Sequence, residues 1–285
     1  MFVKKHCSPR INEEQYSCLT KGALNSIAKA LNKEYGSSIN IRQSRKKLFL
    51  EIKKILSKNS NCKTENCWTG LNIMNHIPPK KLKVIKGSFR PTQPKEWKTK
   101  PRTWLNTTNI DDVMEQYEKK YPSFKYIGAT PIDFDLEQGN TCMVSELCNF
   151  DIGKIKKEKK KSVGMVFNTD PHNRPGEHWF SMYIDLIGKN RKGKPTIYFF
   201  DSAINKLSMV PKQILEFIEE IQKENNYRFD FLYNDIQHQY EDTECGIYCL
   251  HFLTEMLKGK PFKEYINQKI DDKKMFRFRD KFFIS

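Results

Sequence analysis

The sequence predicts an α+β protein, a set of strands bracketed by helices, with a helical extension in front. Three observations carry that prediction. Runs rich in β-branched and aromatic residues, broken by Gly, Asn, Asp and Pro, recur between residues 163 and 233. Apolar residues at helical spacing fill parts of the first hundred residues, the stretch after Pro211 and the C-terminal end. No strict strand–helix–strand alternation repeats, which argues against a doubly wound parallel sheet. The chain has 285 residues, 38% hydrophobic and 12% aromatic, enough for one large domain or two modest ones.

The elements follow in order. Leu24, Ile27, Ala28 and Leu31 share one helical face, and Leu48, Ile52, Ile55 and Leu56 share another. The proline-spaced segment from Arg90 to Pro101 reads as a linker. Residues 1–100 are therefore expected to form a basic, mainly helical module, and residues 101–285 a second domain. An Asn109-Ile-Asp-Asp start before Val113, Met114 and Tyr117 predicts a short helix. Strands are expected at Val163–Phe167, His178–Ile184, Thr196–Phe200 and Arg228–Tyr233. Pro211 opens a helix carrying Ile214, Leu215, Ile218 and Ile221. Thr243–Leu257 is expected to be helical, with one or two short helices through Phe283. The basic run Lys154–Lys161 reads as a solvated loop.

Several classes are excluded by composition. No stretch approaches the ~18 apolar residues of a membrane span. The opening MFVKKHCSPRINEEQY lacks the apolar core of a secretory signal. The chain is therefore expected to stay intracellular, with its eight cysteines reduced. The net charge of +16 sits wholly in residues 1–100, where 22 basic residues face 6 acidic ones; the remainder carries 28 of each. Two readings of that asymmetry stand side by side. One is a surface for DNA or another polyanion. The other is an AT-rich genome, which favours lysine and asparagine codons whatever the function.

Chemistry is sought first at Cys245, in Asp242-Thr243-Glu244-Cys245-Gly246, where a polar run becomes a helical pattern. Cys249, Phe252, Leu253 and Met256 lie on its face, which places the thiol in the first turn of a helix with that face buried. The free N–H groups of a helix start favour a thiolate, and Gly246 would admit a close-lying substrate backbone. The competing reading is a buried structural cysteine. Of the histidines, His178 opens a strand after a turn-rich loop, a rigid place for a general base. His172 lies within the loop, and His238 has no predictable direction. Asp201 ends the neighbouring strand abruptly, suited to orient an imidazole, or simply to form a turn. Gln239, six residues before Cys245, carries an amide able to hold an oxyanion together with the Cys245 N–H. The cysteine spacings do not form a zinc set, with Cys62 and Cys67 the one pair in doubt. No phosphate-binding or dinucleotide loop is present, so no metal and no cofactor is expected.

In this order, Gly176-Glu-His-Trp179, Tyr198-Phe-Phe-Asp-Ser-Ala203 and Gln239-Tyr-Glu-Asp-Thr-Glu-Cys-Gly246 resemble the histidine, acid and nucleophile blocks of the ubiquitin-like-protein-specific (SUMO) protease clan. That clan also holds the adenovirus protease, and the chain is most similar to its African swine fever virus-type polyprotein-processing branch. The resemblance covers about residues 101–285. It implies a papain-like, SUMO-protease-type α+β catalytic domain behind a helical N-terminal extension. It implies Cys245 as nucleophile, His178 as base, Asp201 as orienter and Gln239 as oxyanion donor. Trp104 and Trp179 are then expected to enclose a tunnel so narrow that only glycine fits just before the scissile bond. The viral branch has asparagine where this chain has Asp201; either accepts from an imidazole. The implied function is cleavage after Gly-Gly in viral structural polyproteins, in the virion and host cytoplasm of a large DNA virus. The alternatives are removal of ubiquitin-like modifiers from host conjugates, and a basic nucleic-acid-binding virion protein that retains a protease-like fold.

Overall fold

A computed structural model describes residues 6–11, 16–139 and 141–285. Part of the signal-peptide argument therefore rests on residues 1–5 and 12–15, which lie outside the described residues. The chain divides into two compact units, residues 1–92 with Ile284, and residues 93–283 with Ser285.

The smaller unit holds helices α1 (Lys21–Tyr35), α2 (Arg45–Asn59), α3 (Glu65–Trp68) and α4 (Pro79–Lys86). Thr20 and Ser44 cap α1 and α2 by accepting from the backbone N–H three residues on. Both expected apolar faces turn inward, so that Leu24, Ile27, Leu31, Leu48, Ile52 and Leu56 pack with Trp68. Ile55, expected on the same stripe, is only partly buried at its edge.

The larger unit contains α5 (Thr107–Lys120), β1 (Phe124–Thr130), β2 (Glu137–Gln138), β3 (Thr141–Cys142), α6 (Ser145–Cys148), α7 (Ile152–Lys157), β4 (Ser162–Asn168), β5 (Trp179–Asp185), β6 (Thr196–Phe200), α8 (Lys212–Glu224), β7 (Asp230–Tyr233), α9 (Cys245–Lys258), α10 (Phe262–Asn267) and α11 (Asp272–Phe282). Five strands form one mixed sheet in the order β1-β4-β5-β6-β7. The outer pairs β1–β4 and β6–β7 are parallel, and the central pairs are antiparallel. Strands β4, β5 and β6 are buried throughout because helices cover both faces. Tyr183, Tyr198 and Phe200 face α9 and its neighbours, whereas Phe180, Met182, Ile197 and Phe199 face α8.

Several expectations need correction. The 93–100 segment, expected in the linker, belongs to the larger unit, where Trp97 is buried edge-on against Phe283. Helix α5 is capped by Asn106, not Asn109; the two side chains form a reciprocal capping box, so the helix starts earlier. Pro211 is the residue before α8 rather than inside its first turn. Lys154–Lys157, expected in a loop, are helical because Asp151 caps α7 through the Lys154 N–H and Ile152 and Ile155 are buried.

The cysteines also depart from expectation. Six of the eight are paired, Cys7 with Cys18, Cys62 with Cys67 and Cys142 with Cys148, leaving Cys245 and Cys249 free. The reduced-thiol expectation came from the reading of the N-terminal residues, whereas pairing is set by which cysteines the fold brings together. The Cys62–Cys67 pair, weighed as metal ligands, is bonded to itself.

Candidate active site

Cys245 is the first residue of α9, where a backbone N–H has no acceptor inside the helix. The helix is buried on nearly every side, from Cys245 to Leu257, because it runs between the sheet, α5 and α11. The single buried face expected from its spacing understates this. The Cys245 side is enclosed as well, at 2% exposure. Cys249, one turn on, is fully buried, and burial pushes its thiol well above the usual range.

His178 immediately precedes β5. Its loop is held by Asn168, whose Oδ1 accepts from the Asp170 N–H, while the Asp170 carboxylate accepts from the Gly176 N–H. Gly176 has φ +88, and a Cβ there would meet the Asn168 amide at 2.9 Å, so glycine is required on both counts. The Thr169 N–H then donates to the His178 carbonyl and closes the loop.

His178 Nε2 donates to Asp201 Oδ1 at 2.6 Å. That leaves Nδ1 as the ring nitrogen available to Cys245, whose thiol is near enough to favour a charge on the ring. Burial opposes a charge on the ring, but the bond to Asp201 and the negative charge of Asp201 and Cys245 outweigh it. They raise the His178 pKa from 6.5 to about 10. The ring is thus an imidazolium at neutral pH, placed between a carboxylate and a sulfur.

Asp201 follows β6 and is buried. Its Oδ1 takes a second bond from the Ala203 N–H at 2.9 Å. Its backbone is clamped by Asn234, which accepts from the Asp201 N–H and donates to the Asp201 carbonyl at 2.9 and 2.8 Å. The same amide reaches the carbonyls of Ile204 and Ile236. Sequence reasoning missed Asn234. Its position just after β7 is the one signal available, since a strand parallel to β6 must end beside the same turn.

Gln239 is buried in the loop before Cys245. Its Oε1 accepts from the Ser202 hydroxyl at 2.6 Å, and its Nε2 donates to the Glu241 carbonyl at 2.6 Å. One amide hydrogen remains for a ligand. The Tyr240 and Glu241 N–H groups both donate to Asp272 of α11, a second residue missed by the sequence reading.

Trp179, 8% exposed, donates its indole N–H to the Leu105 carbonyl at 2.9 Å. That bond ties the start of β5 to the Trp104–Leu105 arm. Trp104 itself is 43% exposed, its ring open to solvent. Gly246 has a different role from the one expected. A Cβ there would meet the Leu105 side chain at 3.1 Å, so its bareness admits Leu105, not a substrate backbone.

The two other histidines weighed from the sequence lie elsewhere. His172 is bonded to Asp133 at 2.6 Å. His238 is buried against Phe200 and Tyr265, and burial lowers its pKa to about 4. Among the described residues no cluster of three metal-ligating side chains occurs.

A thiol at a helix start, an imidazolium against it and a buried carboxylate behind the ring are the parts of a cysteine peptidase. Residues 142–285 match the model of the Ulp1 protease family, C-terminal catalytic domain, and the chain belongs to that family. It is 28% identical to a putative thiol protease of Acanthamoeba polyphaga mimivirus, over 97% of this chain and 92% of that protein. It is 26% identical to a cysteine protease of African swine fever virus (isolate Tick/Malawi/Lil 20-1/1983), over 63% of this chain and 67% of that protein. The crystal structure of an African swine fever virus protease superposes with a TM-score of 0.66 at 20% identity, covering all of this chain and 97% of that one. The chain is thus a cysteine peptidase acting on protein, the relatives just named are viral, and the sheet and helices described above are the fold of that protease.

Proposed function

We propose that the chain is an endopeptidase that cleaves after Gly-Gly in viral structural polyproteins during virion maturation, in the virion and host cytoplasm. The carrying observation is the 2.6 Å bond from His178 to Asp201 on an imidazole whose charge Cys245 also favours. In this reading the Cys245 thiolate attacks the carbonyl carbon before the scissile bond. The oxyanion that forms accepts from the free Gln239 amide hydrogen and the Cys245 N–H. His178 gives its proton to the leaving amine, and the C–N bond breaks to leave a thioester. Water then attacks the thioester carbonyl and gives a proton to His178, and the C–S bond breaks to release the acid and restore the thiolate–imidazolium pair.

Selectivity for glycine is supported by enclosure. Cys245 is 2% exposed, and its neighbour Gly246 lies against Leu105, the residue Trp179 holds, so a backbone reaching the sulfur must be thin. Trp104 and Trp179 are the substrate contacts in this reading. The basic residues of segment 1–100 are offered as the contact to DNA or another polyanion.

Cleavage of a Gly-Gly-Xaa peptide against its Ala-Ala-Xaa counterpart tests the reading. We expect a cut after the second glycine and at least a hundredfold loss with alanine. Release of a ubiquitin-like modifier from a conjugate, with the peptide untouched, would replace polyprotein processing by deconjugation.

A further inference from the structure

Arg279, in the last turn of α11, is buried, and its five N–H groups are all engaged. Nε and Nη2 meet the two carboxylate oxygens of the fully buried Glu244 at 2.8 Å each. Nη2 also reaches the Thr243 carbonyl at 3.2 Å. Nη1 donates to the carbonyls of Pro101 and Thr103 at 2.8 and 2.9 Å. The guanidinium lies over the Trp97 ring, 4.3 Å from its centroid.

These attachments flank the site. Glu244 immediately precedes Cys245, and residues 101–103 immediately precede the Trp104–Leu105 arm. A buried ion pair is weak evidence for stability, since apolar replacements often serve as well. A planar fork of five donors, by contrast, fixes two chain segments at a set separation, which a lysine ammonium does not do.

We infer that Arg279 is a positioning residue for peptide hydrolysis: it fixes the Trp104–Leu105 arm relative to Cys245 and neutralises the Glu244 carboxylate beside the nucleophile. The inference rests on the proposed roles of Cys245 and Trp104. The second effect follows from sign. An unpaired carboxylate one residue from the sulfur opposes the negative charge the sulfur must carry to attack. The other ionisable groups around Cys245 are His178 before β5, Asp201 behind it and Cys249 within α9.

Three full-length variants separate the effects. Arg279→Gln leaves Glu244 unpaired, Arg279→Lys keeps the charge without the fork, and Glu244→Gln with Arg279→Gln removes both charges. The readouts are the pH dependence of Cys245 alkylation by iodoacetamide, followed by peptide mapping, and KM and kcat on a Gly-Gly-Xaa peptide. In Arg279→Gln the alkylation midpoint should rise by about one pH unit or more. It should return to the wild-type value in the double variant and stay there in Arg279→Lys. KM should rise about tenfold in all three, because charge-assisted bonds to the 101–103 carbonyls are lost. An unmoved midpoint in folded Arg279→Gln, or a wild-type KM in Arg279→Lys, overturns the inference. Should Arg279→Gln fail to fold, the other two still decide, since a merely structural residue would not pair a normal midpoint with a raised KM. Wild-type labelling is read first: alkylation at a thiol other than Cys245 strikes the nucleophile assignment, whereas normal wild-type labelling with unmoved variants strikes Arg279 alone.

Discussion

At the residue scale, the imidazolium of His178 is the group with the clearest consequence. Its pKa lies above the unfolded value, near 6.5, at about 10. The stabilisation it brings is complete below pH ~6.5 and is lost as the pH rises through about 10. Peptidase activity should therefore hold to high pH and fall with an alkaline limb near that value. Asp201→Asn should move the limb down by removing a negative charge, yet keep substantial neutral activity. Two N–H groups, from His178 and Ala203, point at Oδ1 and would turn the amide oxygen toward them. Asp201→Ala should lose far more. Rate–pH profiles of both variants check this, and an unshifted limb in the asparagine variant would remove Asp201 from the charge balance. Gln239→Ala should lower kcat by roughly 10²–10³, the usual loss for one oxyanion donor, with little change in KM. A change confined to KM would make Gln239 a substrate contact. Cys245→Ala should abolish hydrolysis and leave the melting temperature near wild type, and residual turnover would mean another nucleophile.

At the scale of elements, the strands were legible because periodicity and breaker residues agree there: β6 runs Thr196–Phe200 as the sequence suggested, and β4 and β5 differ from it by a residue at each end. Strand β1 was missed; its residues Phe124–Thr130 include Gly128 and alternate weakly, and pairing with β4 decides their fate. The order of His178, Asp201, Gln239 and Cys245 along the chain was readable, since His178, Asp201 and Cys245 each stand at an element boundary and Gln239 lies in the loop before the last of them. What holds those boundaries was not readable, because Asn234 and Asp272 act across 33 and 31 or 32 residues of sequence. Gly246 shows the same limit, since only packing shows that Leu105 occupies the space. Asn234→Ala should cost about 1–3 kcal/mol in urea unfolding, as buried backbone groups of Asp201, Ile204 and Ile236 lose their partner. It should also lower kcat, because the Asp201 turn is freed. Undiminished stability would show that the clamp is replaceable by local rearrangement.

At the scale of the whole molecule, the excess of positive charge lies in residues 1–100, while the remainder is neutral. The smaller unit gives some of that charge a place. Lys29 and Lys33 of α1 and Lys81 of α4 line a groove of about 190 Å³ with His76, over a floor that includes Ala30 and Ile77. His76 is bonded to Glu34, so its side of the groove carries a carboxylate as well. If these lysines bind phosphates, the full-length protein should retard duplex DNA at low salt, without regard to sequence, and release it steeply toward physiological salt. The reason is that affinity of this kind comes from counterions set free, with a log–log slope of roughly 0.9 per phosphate neutralised. Changing Lys29, Lys33 and Lys81 together to Gln should then reduce the slope by about 2–3 and leave cleavage of a short peptide unchanged. Gel shifts at two salt concentrations on wild type and variant distinguish the outcomes. Binding with an unaltered slope would move the contact to other lysines of the first hundred residues. No retardation by the wild type even at low salt would leave genome composition as the source of the charge.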